Sequence, residues 1–202
     1  MTFSWDDSRR AFAAAAVAFV GVTSRAAGRW DEPGLGEWDV RALVGHTSRS
    51  LLTVEEYLGR PAASAELASA ADYVRATRAI AAGPDVAPRG VAAGKALGDD
   101  PAAAVAEIAG RVLPLVDACD GTELLTTIAG GMRLVDYLPT RVFELAVHTA
   151  DLAAALGTPA ELPPDAATQA LHLVTELAVA DGRAAPLLLA ATGRPAGRFT
   201  VL

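Results

Sequence analysis

The chain has 202 residues, 52% of them hydrophobic, which is ample for one continuous core in a single domain spanning residues 1–202. A formal charge of −7 and a pI near 4.9, with no clustering of Lys and Arg, exclude nucleic acid and an anionic membrane as partners. Cys119 is alone, which excludes an intramolecular disulfide and a Cys-based zinc site.

The chain opens on Ser4, Trp5, Asp6 and Asp7, without the basic start and apolar run of a secretory signal, and no apolar stretch reaches membrane-spanning length. The expected compartment is the cytoplasm. Lys95 is the only lysine, and the bias to Arg and Ala is that of a GC-rich genome.

Ser4 with Asp7 resembles a capping box, and Phe12, Ala16, Phe19 and Val20 follow at helical spacing, which predicts a first helix over residues 5–27. The segment 30–38, with Pro33, Gly34 and Gly36, reads as an irregular connection closed by Asp39 as the N-cap of a second helix to Leu58. Residues 65–82 read as a weakly patterned third helix, and 83–98, rich in Gly and Pro, as a loop. Asp99 or Asp100 caps a helix with Pro101 in its first turn, ending near Cys119. Residues 124–132 form a candidate hairpin around Gly130 and Gly131. A long helix then begins with Asp136 as N-cap, placing Pro139 at its third position, and ends at Gly157. A helix over 164–181, a short one after Pro186 and a terminal strand over 199–202 complete the expected elements. The fold class is therefore mainly all-α with a small β element.

On the long helix, about 100° of rotation per residue gathers Tyr137, Arg141, Glu144, His148 and Asp151 into one polar stripe, while the other directions are apolar or small. A solvated face is the ordinary reading of such a stripe. The competing reading is a metal site, because Glu at i and His at i+4 bring a carboxylate and an imidazole to one spot. That pair suits Zn²⁺, Ni²⁺ or Fe²⁺ better than Ca²⁺ or Mg²⁺.

His46, on the second helix, belongs neither to the apolar face of Val40, Leu43, Val44, Leu51, Val54 and Leu58 nor to the opposite face of Arg41, Ser48, Arg49 and Glu56. It shares an edge with Ser50, Thr53 and Tyr57, from which it could reach a cleft beside the core. His172 instead shares a polar face with Asp165, Gln169 and Glu176 and reads as a surface residue. Cys119 reads as a small buried hydrophobe rather than a nucleophile.

Several of these residues fall into an ordered pattern: Trp30-x-x-Pro33, then Gly36-Glu37-Trp38-Asp39-Val40-Arg41-x-Leu43-Val44-x-His46, then Arg141-x-x-Glu144-x-x-x-His148-x-x-Asp151-Leu152, with Thr192-Gly193-Arg194-Pro195 near the end. This pattern resembles the mycothiol-dependent maleylpyruvate isomerase N-terminal domain family, within the DinB/YfiT-like superfamily of metal-binding four-helix bundles. The resemblance implies a four-helix bundle with extra C-terminal helices and one metal, usually zinc, held by His46, Glu144 and His148. It also implies a thiol cofactor, mycothiol in actinobacteria. The chain departs from the maleylpyruvate isomerase in being too short for that enzyme's separate C-terminal domain, and from many relatives in having Gly34-Leu35-Gly36-Glu37 where they place a Cys.

Three protein ligands leave positions open on the cation, the arrangement of catalytic rather than structural zinc. The expected activity is a thiol-dependent transfer or isomerisation on an electrophilic small molecule. Metal-assisted hydrolysis and small-molecule binding without catalysis are the alternatives, and a homodimer is compatible with either. Arg141 is the candidate anchor for an anionic group and Asp151 the candidate acceptor behind a ligating His, with surface charge or a salt bridge the competing reading for both.

Overall fold

In the computed structural model, which describes residues 3–197, 200 and 201, helix α1 (Trp5–Thr23) starts where Ser4 and Asp7 cap one another. The Ser4 hydroxyl accepts from the Asp7 amide and the Asp7 carboxylate from the Ser4 amide, both at 3.1 Å. One 3-10 turn over Ser24–Ala26 follows, so the α-helix ends earlier than the sequence predicts. Asp39 accepts from the Ala42 amide at 2.7 Å and starts α2 (Val40–Leu58) at the predicted place.

Helix α3 (Ala70–Ala81) begins later than expected, because residues 60–67 lie along the hairpin and hydrogen-bond to it; the Glu66 and Leu67 amides, for example, donate to the Gly131 carbonyl. Ser69 then caps α3. Residues 83–98 are not a loop: they contain α4 (Val86–Ala96). Its Ala, Gly and Pro content gives little periodicity, and its N-cap, Asp85, makes no side-chain capping bond. Asp100 caps α5 (Pro101–Asp117), with Pro101 at its first position.

Strands β1 (Leu124–Thr127) and β2 (Gly130–Arg133) form the predicted hairpin, antiparallel with Leu125 opposite Met132. Strand β2 leads directly into α6 (Leu134–Ala155), whose N-cap is Arg133 rather than Asp136. The Leu134 and Val135 amides, which a capping side chain would otherwise have to serve, donate to the carbonyls of Glu123 and Gly121 at 2.8 and 3.0 Å. Pro139 consequently lies inside the helix.

Helices α1, α2, α5 and α6 close a four-helix bundle, α1 and α2 each packing on both α5 and α6. Phe12, Phe19, Leu43, Leu51, Val112 and Leu145 are among its fully buried residues. Helix α7 (Pro164–Ala180) covers α1 and α6, α3 packs on α6 and α7, and α8 (Ala184–Ala191) packs on α7. A second cluster, including Phe143, Leu173, Leu177 and Val201, fills the space between α6 and α7. The expected terminal strand is not formed at Thr200 and Val201, and Phe199 and Leu202 lie outside the described residues. Among the described residues no helix is long and apolar enough to cross a membrane.

Helix α4 packs on α2 outside the bundle, and on the side of α2 opposite its apolar face Ser48 is only 1% exposed while Arg49 and Glu56 stay exposed. The helices meet at Gly45 and Gly94, where a Cβ on either residue would penetrate the backbone of the other helix. Gly45→Ala should therefore lower stability by about 1–3 kcal/mol in urea unfolding, as overpacking does. Gly21→Ala, at a position on α1 with nothing within 4 Å, should be neutral or stabilising.

Candidate metal centre

His46 lies two turns into α2, and the packing of α2 on α6 points it at the stripe on the latter helix. Donor atoms of His46, Glu144 and His148 all lie within 4.8 Å of one another, a group that could hold a metal ion. Glu144 Oε2 is 3.3 Å from His148 Nε2. Two donors each about 2.1 Å from a shared tetrahedral ion are about 3.4 Å apart, so the pair fits a cation without rearrangement. Two imidazoles and one carboxylate are the donor chemistry of a borderline divalent ion.

The second nitrogen of His148, Nδ1, lies 3.0 Å from Asp151 Oδ2. With carboxylates at both ring nitrogens, His148 is held as an imidazolium when no cation is present. Burial by itself would lower its pKa, but the hydrogen bonds to Asp151 and Glu144 outweigh that and push it up to about 9. Burial would likewise raise Glu144, yet the His148 hydrogen bond and the Arg141 charge bring it down to about 2. His46 goes the other way: burial, reinforced by the charge on His148, lowers it to about 4, so it is neutral. The side chains of Glu144 and Asp151 remain 31% and 30% exposed, which leaves the centre open to a ligand from solution.

Arg141 stands one turn before Glu144, its guanidinium 5.0 Å from the ring centre of Tyr137 and 5.5 Å from that of Tyr73 on α3. Its Nε donates to the Thr140 hydroxyl at 2.9 Å. Among the described residues no carboxylate forms a salt bridge with it. Tyr137, which the sequence groups with the polar stripe, is fully buried, donating to Thr53 at 3.1 Å and packing against Tyr57. The stripe is therefore buried or half-buried along its length, with Thr53 and Tyr57 of α2 and Tyr73 of α3 against its first turns, rather than open to solvent.

The sequence reading missed Tyr73, on the helix predicted over residues 65–82, and the contact of Trp38 with His46. His172 is outside the group. It is partly buried instead of a surface residue, its ring edge-on to Phe3 and its Nδ1 3.6 Å from Glu176, while its neighbour Gln169 is buried beside Ser8. Cys119 is partly buried, and burial with the nearby Glu123 raises its thiol to about 11, the opposite of an activated nucleophile.

Residues 9–153 match the mycothiol maleylpyruvate isomerase N-terminal domain family, a span that takes in α1 through most of α6 and all three candidate ligands. The chain belongs to that family. No curated protein and no solved structure matches it. Within the family's span, the bundle helices α2 and α6 carry the candidate centre, whereas α7 and α8 lie beyond it.

Proposed function

We propose that this protein is a metal-dependent enzyme that uses a low-molecular-weight thiol, mycothiol, to transfer to or isomerise an electrophilic small molecule. The observation that carries this reading is the convergence of His46 from α2 with Glu144 and His148 from α6, beside Arg141, which forms no salt bridge among the described residues. Membership of a family named for mycothiol chemistry supports the choice of thiol.

His46, Glu144 and His148 would hold the cation, zinc by preference, with nickel or iron as alternatives that the same donors accept. When bound, a divalent cation supplies the positive charge that favours thiolate over thiol and polarises an electrophile. Asp151 keeps the Nδ1 proton of His148 and so presents Nε2 to the centre. Arg141, fixed between Tyr73 and Tyr137, offers its guanidinium to an acidic group of the electrophile. With the cation present, the centre has a net positive charge, which favours anionic ligands.

The test is incubation of metal-loaded protein with mycothiol and a panel of small electrophiles, following products by mass spectrometry. A mycothiol adduct or an isomer is expected only when metal and thiol are both present. Turnover without thiol would move the reading to hydrolysis, and metal-independent binding without turnover would make this a binding protein. Arg141→Met should raise KM for an acidic electrophile by about tenfold or more, the cost of losing a hydrogen bond to a charged group, and leave a neutral one nearly unaffected. Equal effects on both would remove the anchoring role.

A further inference from the structure

A ligating histidine ordinarily donates its second ring N–H to a carboxylate, carbonyl or water, and that bond sets the plane of the ring. His148 has such a partner in Asp151. His46 has none: among the described residues no group hydrogen-bonds to its ring. Its ring contacts are aromatic, with Trp38 at 4.5 Å between centroids and 33° between planes, and with His148 at 4.9 Å and 87°.

Trp38 is held far more firmly than a side chain in a connecting segment needs to be. On its backbone, the amide donates to the Leu35 carbonyl at 2.9 Å and the carbonyl accepts from the Gly34 amide at 2.8 Å. On its side chain, the indole Nε1–H donates to the Ala87 carbonyl of α4 at 3.0 Å. The same edge of the indole is seated on Gly90, where a Cβ would come within 2.5 Å of Cε2 and 2.6 Å of Nε1. Helix α4 is itself held to α2 by the Gly45–Gly94 contact described above, so one rigid path runs from α2 through α4 and Trp38 back to His46.

We propose that Trp38 is the positioning residue of the candidate centre: its indole, pinned by α4, fixes the ring plane of His46 in place of a hydrogen bond. This rests on the proposed metal role of His46. Helix α4, which lies outside the bundle, thereby acquires a role at the centre, and Gly90 is required because any larger residue would displace the indole from Ala87 and His46.

The test is a double-mutant cycle read by cobalt affinity and by the absorption spectrum of bound cobalt, recorded well below the unfolding temperature of every variant. Trp38→Leu should weaken cobalt binding by about 10–100-fold, the range for removing an orienting partner, and Trp38→Phe, which keeps an aromatic face, should recover part of that loss. Gly90→Ala should act in the same direction with Trp38 intact. In the His46→Ala background, Trp38→Leu should have no further effect. If Trp38→Leu weakens binding equally with and without His46, Trp38 serves only the fold and the proposal fails. If instead His46→Ala leaves cobalt affinity unchanged, the metal reading of His46 fails, and the positioning claim is then judged on metal-free protein. There, NMR of the His46 ring should show a shifted and ordered resonance that collapses towards free-imidazole values in Trp38→Leu. An unchanged His46 resonance would overturn the claim.

Discussion

Replacing either His46 or His148 with alanine should lower zinc or cobalt affinity by more than the roughly 100-fold that marks the upper end for losing an outer partner, since each removes a direct donor. Metal content after purification and competition with a chromophoric chelator measure this directly. His172→Ala should leave both unchanged, because His172 faces Phe3 and Glu176 and is not a member of the donor group. Glu144→Gln should weaken binding as well, as the carboxylate is the one charged donor in the set. About one metal per wild-type chain is expected. Loss of metal in His172→Ala alone would place the centre elsewhere.

The second large effect is one of pH. In the metal-free protein His148 holds its proton up to about pH 9, and a cation must take the place of that proton on Nε2. Apparent cobalt affinity should therefore climb by about tenfold per pH unit from pH 7 and level off near 9, about 100-fold in all. His46, lowered to about 4, is already neutral across this window and adds no slope.

For the metal-free protein the sign is reversed. A raised histidine pKa stabilises the fold fully below its ordinary value of 6.5, and that contribution is lost as pH rises through about 9. Titrations in non-coordinating buffers between pH 6.5 and 9.5, at constant ionic strength, would establish the slope. Asp151→Asn removes one of the groups that raise His148, so the plateau should be reached at lower pH. A flat profile in the wild-type protein would mean that metal binding does not displace the His148 proton.

Features that depend on residues three or four apart were legible in the chain itself. The caps at Ser4, Asp39 and Asp100 are local hydrogen bonds between a side chain and an amide three residues on, so sequence alone locates α1, α2 and α5. The pairing of Glu144 with His148, and of His148 with Asp151, is likewise set by helical spacing. The hairpin at residues 124–133 was marked by its β-branched residues and adjacent glycines.

What helical projection could not supply was the identity of the neighbour on each face, because periodicity reports that a face is covered but not by what. Ser48 was placed opposite the apolar face, and nothing in the weak pattern of residues 83–98 announced that α4 would pack on α2 through Gly45 and Gly94 and leave Ser48 buried. The start of α6 was misplaced for a related reason: carbonyls of Glu123 and Gly121, brought there by the hairpin, accept from the Leu134 and Val135 amides, so the helix begins two residues before Asp136.

At the centre, the sequence determined that His46 stood apart from both faces of its helix and that Glu144 and His148 shared one spot. Only the packing of α2 on α6 decided that the three donors meet, that Tyr73 and Tyr137 flank Arg141, and that the indole of Trp38 lies against His46. These contacts join residues on separate elements, and their geometry follows from how the helices cross, a quantity set by the whole core and not by any one segment.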